Sequence, residues 1–203
     1  MFCLMILSSC GQGNPNEQID EGRVKGERYA SKEIGWAIEI PTDWTVISRD
    51  KLEANEAKGK EAIEQSTGLA IEAEGLKHLI SFQKNPFNIF TSSSQPFTEQ
   101  FEGEYQQSTK QTHEIIYQTY TDQGIKSDSS SGIETIQGLV FNTFYTTIYA
   151  PNGDVIIHQI IYTRLINGYD FSVNINYNND EDKKIMVDAL KKSTFTARQG
   201  KVK

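Results

Sequence analysis

The sequence predicts an α+β fold with a central antiparallel sheet, and three observations carry that expectation. Asn152-Gly153 and Asn167-Gly168 each lie between long apolar runs. Asn and Gly tolerate the positive φ that a type I′ hairpin turn requires, so each pair predicts a tight hairpin. The run after the second pair alternates strictly, with Tyr169, Phe171, Val173, Ile175 and Tyr177 on one side and Asp170, Ser172, Asn174 and Asn176 on the other. Period-two alternation puts one face on a core and leaves the other polar. Helical spacing is confined to three separate segments, which places helices around the sheet.

The central feature is a meander over residues 134–178, with strands at Leu139–Tyr149, at residues 155–165 and at Tyr169–Tyr177. β-branched and aromatic residues dominate all three, as a pleated surface prefers. Ahead of it, residues 28–31 form a short strand. Residues 34–40 alternate, with Trp36, Ile38 and Ile40 sharing a face. Pro41 to Trp44 make a turn, and residues 44–47 a further strand. Ser48 is a candidate N-cap for a surface helix reaching about Gln65, whose thin apolar stripe is Leu52, Ala62 and Ile63. Residues 67–76 read as an irregular or partly helical connector, 78–83 as a strand, 84–87 as a turn and 88–91 as a returning strand. Residues 92–96 read as a polar break. Phe97, Phe101 and Tyr105, at i, i+4 and i+8, predict a long helix over residues 97–120, closed by Gly124. Residues 127–132 read as a flexible hinge, 133–136 as a short strand, and Gln137-Gly138 as a turn. The last helix covers about residues 180–192. Acidic residues open it and Lys191-Lys192 close it, which complements the helix dipole. Phe195 is expected to dock on the sheet.

The segment Ile38-Glu-Ile-Pro-Thr-Asp-Trp44, a strand ending in Pro-x-x-Trp followed by a strand and a helix, resembles the opening of PsbP-like domains. The later order of helix, meander and terminal helix is similar too. The resemblance implies an α-β-α sandwich with the antiparallel sheet between helices. Members differ in function, so it implies no activity and assigns no site residue.

The amino terminus carries a second signal. Residues 1–7 are apolar and residues 1–9 have no charged side chain. Seven residues cannot span a bilayer, which takes about 20, but they suit the apolar core of an export signal. Leu7-Ser8-Ser9-Cys10 then resembles the lipobox of bacterial lipoproteins. That resemblance implies diacylglycerol on the Cys10 thiol, removal of residues 1–9 as a signal peptide, and acylation of the new amino group. The expected organisation is a lipidated end and flexible tether at residues 10–26, one domain at 27–197 and a frayed tail at 198–203. Gly11 after Cys10 resembles the outer-membrane sorting pattern, so the expected location is the bacterial cell envelope at the outer membrane. The two cysteines, Cys3 and Cys10, leave the domain without disulfide or thiolate chemistry. A net charge of −7 without a basic stripe argues against nucleic acid as a partner. The expected partners are the membrane, through the lipid, and an envelope protein.

Catalytic signatures are absent from the sequence. His78, His113 and His158 are far apart and no His-Glu-x-x-His occurs. Asn178, Asp180 and Asp182 imitate the start of a calcium loop, but Lys183 replaces its Gly and Ala189 its bidentate Glu. Gly59-Lys60 lacks the upstream Gly of a phosphate loop, and no Gly-x-Ser-x-Gly elbow exists. Glu72 and Glu74 read as solvated. The expectation is therefore a protein without catalytic residue, metal or cofactor, acting as a protein-binding or assembly factor. The alternative is a small-ligand binder with a pocket between the sheet and the helix at 97–120, contacted by Tyr162, Arg164 and Asn174. A third reading is an enzyme whose site is assembled from scattered residues, which a cavity holding two or more of His78, His113 and His158 would favour.

Overall fold

The computed structural model describes residues 14–68 and 74–196. The expected signal peptide, Cys10, Glu72 and the tail at 198–203 lie outside the described residues. A small sheet contains, in spatial order, β1 (Arg23–Lys25), β2 (Arg28–Ala30), β3 (Trp36–Glu39) and β12 (Thr194–Phe195). The large sheet contains β4 (Thr45–Val46), β5 (Lys77–His78), β6 (Phe82–Asn85), β7 (Asn88–Pro96), β8 (Ser127–Ile136), β9 (Leu139–Tyr149), β10 (Val155–Ile166) and β11 (Tyr169–Tyr177). Its order is β4-β6-β7-β11-β10-β9-β8, with β5 also on β7, and every pair is antiparallel. Three α-helices complete the fold: α1 (Arg49–Thr67), α2 (Glu104–Asp122) and α3 (Asp180–Lys192).

Each turn has a local cause. Gln137-Gly138 and Asn167-Gly168 both take positive φ at both positions, as a two-residue I′ turn demands. Asn152-Gly153 differs, because Gly153 alone is positive, at 93°. A two-residue turn there would need an N–H from Pro151, which has none. The loop is instead closed by Ala150, whose N–H donates to Asp154 O at 2.8 Å while its carbonyl accepts from Gly153 N at 2.9 Å. At α3, the Asn179 side chain accepts from Asp182 N at 2.8 Å, an N-cap that accounts for the acidic cluster.

The core lies between the small sheet with α3 and the apolar face of the large sheet. Trp36 is fully buried at its centre, with ring centroids of Phe171 at 4.9 Å, Tyr29 at 5.8 Å, Phe195 at 6.4 Å and Phe90 at 6.5 Å. Met186 and Leu190 of α3 join the same cluster. Phe195 thus docks as expected.

Four expectations are corrected. Residues 14–26 do not form a tether: a 3-10 turn (Pro15–Glu17) leads into β1, and Ile19 and Val24 belong to the core. Asp20 pairs with Arg49 at 2.5 Å, and the Glu21 carboxylate accepts from Lys32 N at 2.8 Å. Two apolar residues five apart carry no periodicity, so the sequence hid them. Residues 92–96 continue β7, where the Ser92 hydroxyl donates to Ile80 O at 2.5 Å, so a serine is tolerated in the core. Residues 127–132 belong to β8, an exposed edge strand with no need of an apolar side. The helix expected at 97–120 begins at Glu104, because Gly103 sits at φ 84°, outside helical space. Phe101 is consequently 56% exposed.

Trp36→Ala removes the ring on which both sheets converge. Buried Trp truncations cost about 3–5 kcal/mol, so the urea midpoint should fall by that equivalent with an unchanged slope.

Candidate functional site

Burying one face of β11 commits its other residues to the opposite side. Asp170, Ser172, Asn174 and Asn176 share that face with Ile161 and Thr163 of β10 and Thr91 and Ser93 of β7, as the strand registers dictate. These side chains are partly shielded from bulk water, because α1 and α2 lie over them. The result is a groove with a hydroxyl- and amide-bearing floor. Beneath α2 it encloses about 320 Å³. A second chamber of about 300 Å³ lies toward α1 and shares Thr91, Ser93 and Asn174 with the first.

The roof presents one polar face of α2. Tyr105, Ser108, Thr109, Thr112, His113 and Ile116 line the cavity. They fall at i, i+3, i+4, i+7, i+8 and i+11, the spacing of one helical face. That face is mostly hydroxyl, so a search for apolar periodicity passes over it.

Two side chains pin α2 to the sheet. The Tyr105 hydroxyl donates to Asp170 Oδ1 at 2.7 Å. His113 stacks on Phe144 with centroids 4.5 Å apart, and its Nδ1 is 3.3 Å from Ser131 Oγ. Burial pushes the Asp170 carboxyl above the usual carboxylate range, and the Tyr105 hydrogen bond opposes that rise. Burial also pushes the His113 imidazole below its ordinary value. The His113 Nε2 and Asn174 Oδ1 atoms are buried without a hydrogen-bond partner. Unpaired buried polar atoms are costly, which makes them natural points of contact for a bound molecule.

No protein-family model and no curated protein matches the chain. Among solved structures, the solution structure of cyanobacterial PsbP from Synechocystis sp. PCC 6803 aligns with a TM-score of 0.55. The alignment covers 94% of this chain and 99% of that one, at 11% identity. The chain has a PsbP-like fold. At that identity the likeness concerns the fold alone.

Within this PsbP-like fold the three sequence-selected ligand contacts separate. Asn174 lines the groove. Tyr162 is 1% exposed in the core, on the other face of the sheet. Arg164 shares its parity, and its guanidinium donates to the Val140 carbonyl. The two-residue turn pairs Ile166 with Tyr169, and counting back sets Tyr162 opposite Val173 and Ile161 opposite Asn174. That count was available from the sequence. The groove residues that sequence reading missed are Thr91, Ser93, Asp170 and the hydroxyl face of α2.

The histidines stay apart. His113 lies in the first chamber and His78 in the second, where its Nε2 is 3.2 Å from Glu56. His158 stacks on Tyr177 at 5.0 Å and bonds Thr147. Among the described residues no three His, Cys, Asp or Glu side chains converge as a metal site.

The depressed His113 value fixes a pH dependence. The native state binds fewer protons at this site than the unfolded chain, so stability falls as pH drops from about 6.5 through the lowered native value. His113→Phe keeps the stack on Phe144 and removes the titration. Its melting temperature should decline less than that of the wild type between pH 7 and pH 5.

Proposed function

We propose that this chain is a lipid-anchored cell-envelope protein whose PsbP-like domain captures a small polar molecule in the groove between α2 and the sheet. The groove is the observation that carries the binding reading, since its hydroxyls, amides and unpaired acceptors converge on one concave volume. Concave sites with a few converging polar groups are where small molecules bind. On this reading the domain acts by binding, without catalysis or cofactor.

The lipobox Leu7-Ser8-Ser9-Cys10 supports the anchor, with the outer membrane as its location. Two or more acyl chains hold a protein stably on a membrane where one does not. The first element among the described residues begins at Pro15, five residues after Cys10. Five residues reach at most about 18 Å, so this turn of an anchored protein would lie close to the bilayer surface.

A ligand bound by the native state alone must raise its melting temperature. A broad metabolite screen should therefore yield a stabilising compound for the wild type. Ser172→Leu, which fills the groove floor, should abolish that shift. No shift from any compound would overturn the reading. For the anchor, intact mass of membrane-extracted protein should show a species starting at Cys10 with added acyl mass, absent from Cys10→Ala.

A protein partner remains a second reading, favoured by β8. Among the described residues this strand is an unpaired sheet edge, exposed over residues 128–133, where Ile133 is 73% exposed, and Val140 of β9 is 50% exposed. Tyr149 N donates to Lys126 O, so even-numbered residues bond β9 and odd-numbered ones point their backbone groups outward. An extended segment of an envelope protein could add there as a further strand. Ser129→Pro removes one outward N–H at an edge that tolerates proline. It should weaken envelope crosslinking while leaving the fold intact.

A further inference from the structure

We propose that the groove binds a linear amine, with an ammonium group at Asp170 and a second N–H donated to Asn174. This inference rests on the ligand-groove reading and names the class of molecule it takes.

The charge of the cavity comes first. No Lys or Arg is among the residues lining the chamber beneath α2. Asp170 brings a carboxylate into it, and among the described residues the hydrogen bond to that carboxylate comes from the uncharged Tyr105 hydroxyl on Oδ1. A carboxylate taken out of water without a cation is expensive, and a ligand carrying the opposite charge offsets that cost. An anionic ligand would find repulsion and no compensating donor charge.

The remaining groups suit a donor-rich guest. An ammonium has three N–H donors and no acceptor. Beside Asp170, the hydroxyls of Thr163, Ser108 and Thr109 supply oxygen acceptors. Further along the same face of β11, Asn174 Oδ1 is a buried acceptor without a partner. Asp170 and Asn174 are four residues apart on one strand, which spaces them by about 13 Å. Ser172 lies between them on the same face. The match is a narrow, extended molecule with a cationic end and a second donor near its far end. An alkyl polyamine has that shape.

The test uses spermidine, a linear triamine, on the purified protein in about 150 mM salt, which screens the acidic surface to roughly 8 Å. Maltose and citrate serve as neutral and anionic probes. Spermidine should raise the melting temperature of the wild type, and neither other probe should. Asp170→Asn keeps the acceptor that Tyr105 needs and removes the charge. By calorimetry it should weaken spermidine binding at least tenfold. Asn174→Leu is the second variant, in case the first fails to fold, and it should weaken binding severalfold. Equal stabilisation of wild type and Asp170→Asn would overturn the proposal, because the amine would then be reading the surface charge. Stabilisation by maltose alone would overturn the amine assignment and leave the groove as a ligand site. Failure of all three probes would also overturn the amine assignment, and the metabolite screen then decides the groove itself.

Discussion

The alternation of β11 is the constraint on which the rest of this structure depends. Phe171, Val173, Ile175 and Tyr177 must be buried, and they meet Trp36, α3 and the small sheet in one core. A pleated strand has no third side, so Asp170, Ser172, Asn174 and Asn176 are committed to the opposite face. Strands β7 and β10 follow by register, which brings Thr91, Ser93, Ile161 and Thr163 to the same surface. A polar sheet face is therefore a consequence of packing the core, before any helix is placed.

What covers that face differs in kind from the core. The roof offers hydroxyls to hydroxyls, and apolar burial in α1 is limited to Leu52. The helical layer is held by discrete polar contacts: Tyr105 to Asp170, His113 to Ser131 and Phe144, and Ser66 of α1 to Asp122 of α2. Segments with few buried apolar contacts open at lower free energy than the core does. The same weakness leaves space between helix and sheet. The groove and the ease of opening it thus share one cause, the prevalence of small hydroxyl side chains over large apolar ones beneath α2. The segment that leads through β1 is anchored differently, with Ile19 and Val24 in the core, Asp20 bonded to α1 and β5, and Glu21 to the loop between β2 and β3.

The sequence by itself determined the meander, its turn positions, the terminal helix and the two-faced character of β11, because each is written in contacts between near neighbours. Asn167-Gly168 specifies its turn through φ alone, and alternation specifies the faces through the pleat. The PsbP-like fold was legible from those elements in order. It also contained, unread, the parity that separates Tyr162 from Asn174. Only the tertiary structure decided the rest. Residues 92–96 and 127–132 are strands because β11 and β9 pair with them, and their serines give no apolar signal of that. Residues 14–26 join the core through two isolated side chains whose partners are distant in sequence. The groove arises where α2 crosses a sheet face built from three strands. No local pattern records which polar residues will be enclosed together, since enclosure depends on what packs above them.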